Sequence, residues 1–162
     1  ISGTAQISGD AQISGKAQIS GKAQISGGWV SGGEISGTAQ ISGDAQISGK
    51  AQISDEAQIS GGWVSGGEIS GKAQISGKAQ ISGIAQISDE AKILGGWVSD
   101  EARVLGKATI SGDAQISGAA QISGNVEICE TAEIKGNAVI KGDGILRSGV
   151  HSAEKTLRNT GR

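Results

Sequence analysis

Residues 1–34 read ISGTAQ, ISGDAQ, ISGKAQ, ISGKAQ, ISGGW and VSGGE, and residues 35–68 repeat them with changes only at Gly21/Asp55 and Lys22/Glu56. A third copy starts at Ile69 and has drifted further. The hexad I-S-G-x-A-Q is the unit, and it persists with substitutions to Ile140. Four hexads and two pentads make a super-repeat of 34 residues, which is also the spacing of Trp29, Trp63 and Trp97. A fixed short period of this kind decides the fold class before any local propensity does.

Within the unit, Ile or Val stands first, Gly third and Ala fifth. A Gly-rich, low-complexity chain suggests disorder at first sight. Disorder needs no registration, however, and here the apolar residues recur at fixed places, with Gly where a turning chain wants a positive φ. Six residues fit one side of a parallel β-helix: a short strand with Ile inward and Ser and Gln outward, then a corner built on Gly and a variable residue, with Ala turned in. Three sides close a coil of about 18 residues, and two pentads shorten a coil to about 16, so the super-repeat is a whole number of coils. At about 4.8 Å per coil, eight to nine coils make a rod roughly 40 Å long. The expected fold is therefore all-β, a single-stranded parallel β-helix over residues 1–144, followed by a cap or exit linker over 145–162.

The registered [IV]-x-G-x-A-x units of residues 1–144 resemble the hexapeptide-repeat proteins, bacterial members in particular. That resemblance implies left-handed winding. Enzymes of the superfamily are mostly acyltransferases with a histidine base, or carbonic anhydrases whose metal is held by three histidines. This chain departs from their pattern: Ser fills the second position of the unit, where those enzymes carry Gly. Its single histidine, His151, lies outside the repeats. The expectation is a non-catalytic protein with no cofactor, no catalytic residues and no metal site; a transferase-like protein completed by a partner is the alternative.

Composition narrows the remaining classes. The 162 residues include 29 Gly and no Pro, Met, Phe or Tyr, so an ordinary layered core of Leu, Phe and Met cannot be assembled. Fourteen Lys and Arg against 16 Asp and Glu give a net charge of −2, which argues against nucleic acid as a partner. No apolar stretch approaches the roughly 20 residues of a membrane-crossing helix. The single cysteine, Cys129, excludes an internal disulfide framework and a multi-cysteine zinc site.

If the sides stack every third unit, outward residues form rows along the rod. One corner row holds Glu56, Lys72, Glu90 and Lys107, alternating in sign, and such exposed neighbours contribute about 0.2–1 kcal/mol each. Ser and Gln rows are expected to form amide ladders from coil to coil. Trp29, Trp63 and Trp97 fall on one face, two coils or about 9.6 Å apart. The simpler reading folds each ring over a tightened Gly-Gly corner to fill the space of a missing residue. The other makes them an exposed contact stripe for lateral association, glycan stacking or a second protein segment.

The acid pairs Asp55-Glu56, Asp89-Glu90 and Asp100-Glu101 replace Gly-x at corners and read as surface charge, with calcium the less simple alternative. Cys129 stands at an outward Ser position and reads as a drifted surface residue. His151 reads as a solvated tail residue. Ice binding wants regular outward Thr rows, whereas this chain supplies Ser and Gln rows with scattered Thr such as Thr4, Thr38 and Thr109. The chain begins in register at Ile1, which suggests that further repeats precede it or that another subunit stacks there. Its end, Gly144 to Arg162, is basic, with a short helix expected near Ser152 to Arg158. Near-identical copies point to a structural rod in which length matters: a fibre, spacer or filament-forming subunit, self-associating end to end or laterally, or with a glycan as partner. An extracellular, cell-surface or virion appendage is the favoured setting.

Overall fold

The computed structural model describes strand residues from Gln6 onward and the continuous backbone 52–158, with side chains described at 42, 46–48 and 52–158. Among the described residues there are 23 short strands, no helix, and only parallel pairings. The chain is a parallel β-solenoid with three faces per turn, and its backbone climbs about six turns between residues 52 and 155.

Successive strands do not pair with each other; each pairs with the strand three units further along. On the first face Gln6 meets Gln24, then Gln40, Gln58, Gln74, Lys92, Thr109, Glu127 and Ile145. The second face runs Gln12, Trp29, Gln46, Trp63, Gln80, Trp97, Gln115, Glu133 and Val150. The third runs Gln18, Glu34, Gln52, Glu68, Gln86, Arg103, Gln121 and Val139. Partners on the first face lie alternately 18 and 16 residues apart up to Gln74, as full and shortened coils require.

Packing follows the unit. The described Ile and Val residues at the first position and Ala at the fifth, from Ile47 to Ile140, are at most 1% exposed and form one continuous core cluster. Ile and Val are suited to this place because their branched β-carbons restrict χ1 and pack against the pleat. No polar side chain is buried among the described residues, so the interior is an apolar column of like residues stacked on like.

The corners need left-handed backbone, and third-position glycines supply it. Gly71 has φ +69°, and a Cβ there would lie 2.8 Å from the backbone N and O of Asp89 in the next coil. Asp55, Asp89, Asp100 and Glu130 take the same conformation, with φ between 56° and 63°. Asp tolerates this region better than most residues because its short side chain can bond locally.

Two expectations change here. The segment near Ser152 to Arg158 forms no helix: Val150–His151 pairs with the strand Glu133–Ile134, and Lys155–Leu157 pairs with Ile140, Lys141 and Gly142. Open backbone groups of the last full coil offer this segment a ladder, and ladder bonds outweigh local propensity. Pairing thus continues past Gly144, with Ile145 and Leu146 in register on Glu127 and Ile128. The amide ladders expected along the Gln rows are also not formed among the described residues. The coils are tied by backbone bonds instead, such as Gln58 N–H to Ala73 O at 2.9 Å and Gln86 N–H to Ala102 O at 2.8 Å. Exposed amides gain little from each other when water competes for the same bonds.

Candidate functional site

The pentads set the geometry of the second face. Trp63 pairs with Gln46 below and Gln80 above, and Trp97 pairs with Gln80 and Gln115. Tryptophan therefore occupies the place of the outward Gln, and the residue each pentad lacks is the variable corner residue. Gly62 stands under Ala79: a Cβ on Gly62 would come 2.8 Å from the Ala79 carbonyl oxygen. The tightened corner leaves no interior gap for an indole. Trp63 is 60% exposed and Trp97 55% exposed, so these rings face out and do not fill the corner. Trp29 shares the backbone register of the row; its side chain lies outside the described residues.

Because alternate coils lack a corner residue, the edge between the first and second faces is notched. Gly61, Gly62 and Trp63 border one recess with Lys78 and Gln80. Gly95, Gly96 and Trp97 border a second, with Lys78 on one side and Asp113 on the other. Each recess has a glycine floor, an indole wall and a polar rim. The same notching recurs between the second and third faces at Gly67, beneath Ile84, which is 68% exposed.

The opposite edge is continuous. Lys72 pairs with Glu56 at 3.8 Å and Lys107 with Glu90 at 3.6 Å, each across one coil step, and Asn125 donates to Asp143 at 3.1 Å further along the row. All four charged side chains are more than half exposed, so each pair contributes about 0–1 kcal/mol.

The corner aspartates have a structural task. The Asp89 carboxylate accepts from Gly106 N–H at 2.9 Å, that of Asp100 from Gly118 N–H at 2.9 Å, and that of Asp55 from Gly71 N–H at 3.2 Å. Each ties its coil to the next at a corner amide. Among the described residues no three His, Cys, Asp or Glu side chains gather as a metal site would require.

Cys129 differs from expectation: it is buried, 7% exposed. Arg147 follows it by one turn in the same outward column and reaches Glu130 at 3.0 Å. Burial is the main cause that raises the Cys129 pKa, and the Glu127 carboxylate adds to it, so the thiol is held protonated and poorly nucleophilic. His151 stands in the inward Ile column, in register with Ile134, and is partly buried, with Nε2 3.2 Å from the Ser148 carbonyl oxygen. Nearby, Lys141 forms an ion pair with Glu154, whose pKa is lowered first by that hydrogen bond and then by the charge of the lysine.

Sequence reasoning missed Glu130, which fills the third position of ICETAE and takes the left-handed corner conformation. Its place in the unit was the available signal. It also passed over Lys78 and Asp113, the rim of the notches, whose signal is that they are corner residues of hexads flanking the Gly95-Gly96 pentad.

No protein-family model matches the chain, and no curated protein matches its sequence. Among the described residues no helix is long and apolar enough to cross a membrane.

Proposed function

We propose that the chain is a structural rod, a non-catalytic β-solenoid serving as fibre, spacer or filament-forming subunit. The observation that carries this reading is the in-register ladder: Gln58 on Gln74, Ile59 on Ile75 and Ser60 on Ser76 in one coil step, with Ile or Val stacked on Ile or Val along all three faces. Each coil contacts chiefly the coils before and after it, so whole super-repeats add length without needing a new core. A parallel ladder presents the backbone groups of its next rung wherever it stops, which favours end-to-end self-association unless the end is covered. Similarity to bacterial hexapeptide-repeat proteins, left-handed winding and a place in a cell-surface or phage-type appendage belong to the same proposal, supported by the [IV]-x-G-x-A-x registration.

Negative-stain electron microscopy with light scattering across a concentration series tests it. Filaments that lengthen with concentration support a polymer-forming subunit, and uniform short rods support a spacer. Compact particles without an axis overturn the reading.

A further inference from the structure

We propose that the tryptophan row of the second face binds a neutral, extended β-1,4-linked polysaccharide, laid along the rod axis. The inference concerns a ligand and does not depend on whether the rod polymerises.

Four observations lead to it. First, Trp63 and Trp97 are exposed to nearly the same degree and are separated by one intervening rung, that of Gln80. With rungs about 4.8 Å apart, the rings recur every ~9.6 Å. In a flat β-1,4-linked chain each pyranose ring is turned over relative to the last, so the same face recurs only every second ring. The repeat of the ligand is thus a disaccharide, and it matches the two-rung repeat of the indoles.

Second, the row alternates aromatic with amide. An indole face suits the C–H face of a sugar, with its edge free for polar contacts. Gln80, exposed between the two rings, can donate to and accept from the hydroxyls of the intervening sugar. Third, the notches beside Trp63 and Trp97 have glycine floors, which opens a recess beside each indole for a ribbon-like ligand. Fourth, the rim carries one charge of each sign, Lys78 and Asp113, which favours a neutral chain over a polyanion.

A second copy of this chain fits the row less well. One Trp side chain buries about 150–250 Å², and rings isolated by amide rungs do not sum to the roughly 1,000 Å² that a stable protein interface needs.

The test uses the full chain with cellohexaose, cellobiose and maltohexaose, read by calorimetry. Cellohexaose, long enough to span two indoles, is expected to bind at least about 10-fold more tightly than cellobiose, which reaches one. Maltohexaose, whose α-linkages coil the chain, is expected to bind at least about 10-fold more weakly than cellohexaose. In a Trp29→Gln parent, which leaves two indoles in the row, Trp63→Gln and Trp97→Gln are each expected to weaken cellohexaose at least about 10-fold while leaving cellobiose binding at the other ring. Gln is chosen because it fills the alternate rungs. The dependence on oligosaccharide length needs no variant, so it decides the matter even if a substitution disturbs folding. Absence of cellohexaose binding, equal affinity for cellobiose and cellohexaose, or unchanged affinity in the double variant each overturns the proposal. So does a double variant that loses only side-by-side dimers, which would assign the row to a second copy. Rod shape in the micrographs is a separate readout, so failure here leaves the rod reading untouched.

Discussion

Two edges of the same solenoid are made from the same unit and end up as different surfaces. Along the edge after the third face every unit keeps its variable corner residue, and Glu56, Lys72, Glu90 and Lys107 project into water as ion pairs. Along the edge before the second face alternate units lack that residue, and the edge becomes notches walled by Trp63 and Trp97. The buried column does not register the difference: Val64 beside the notch and Ile53 beside the charged edge are both 1% exposed. Core and surface are therefore separable in this fold. Deleting one corner residue rewrites the surface of a coil: the ladder shifts at the corner between Gly66 and Glu68, and the strands on either side stay in like register.

The largest effects should come from changes that both edges share. Gly71→Val on the charged edge and Gly62→Val on the notched edge each force a branched side chain into positive φ and against the next coil's backbone. Each is expected to cost about 2–6 kcal/mol, from strain together with overpacking. Chemical denaturation reads this as a large drop in midpoint at both sites, and a mild effect at either would break the claim that the edges share one backbone.

Asp100 sharpens the comparison at intermediate size. Asp100→Ala loses the bond to Gly118 and places a poorer residue in the left-handed region, at about 1–3 kcal/mol. Asp100→Gly restores the backbone freedom and should lose only the bond, about 0.5–1.5 kcal/mol. Equal losses in the two variants would show that the carboxylate matters and the backbone conformation does not.

Smaller still is the charged row. Lys107→Ala should change stability by about 0–1 kcal/mol, with any difference from the parent disappearing in high salt. The smallest effect is expected at the indoles: Trp63→Gln should leave the unfolding free energy within about 0.5 kcal/mol of the parent, because an exposed ring is replaced by the residue of the adjacent rungs. A large loss there would return the ring to a corner-filling role.

Much of the fold was legible because each unit carries its own instructions. Ile at the first position, Gly at the third and Ala at the fifth define a strand, a left-handed corner and an inward contact, and the count of units per coil follows from the super-repeat. Orientation of the tryptophans was less legible, since it turns on which residue a pentad lacks: comparing VSGGE with VSDEAR points to an outward Gln place, and the pairings of Trp63 and Trp97 with Gln80 fix it. Burial of Cys129 was not legible at an outward Ser position; Arg147, a full turn away in the same column, bonds Glu130 beside it, and no local pattern carries such a contact. The segment from Ser152 to Arg158 has few strand formers, yet it meets the ladder of the coil before it and pairs there. The corner aspartates were visible as residues in a glycine position, while their bonds to the next coil's amides needed the stacked geometry.

The central claim, a rod whose length is set by copy number and whose cross-section is not, is tested most directly by duplicating residues 35–68 and comparing the two chains by small-angle X-ray scattering. The account predicts a rod longer by two rungs, about 9.6 Å, with an unchanged cross-sectional radius. A thicker particle, or one no longer than the parent, would contradict it.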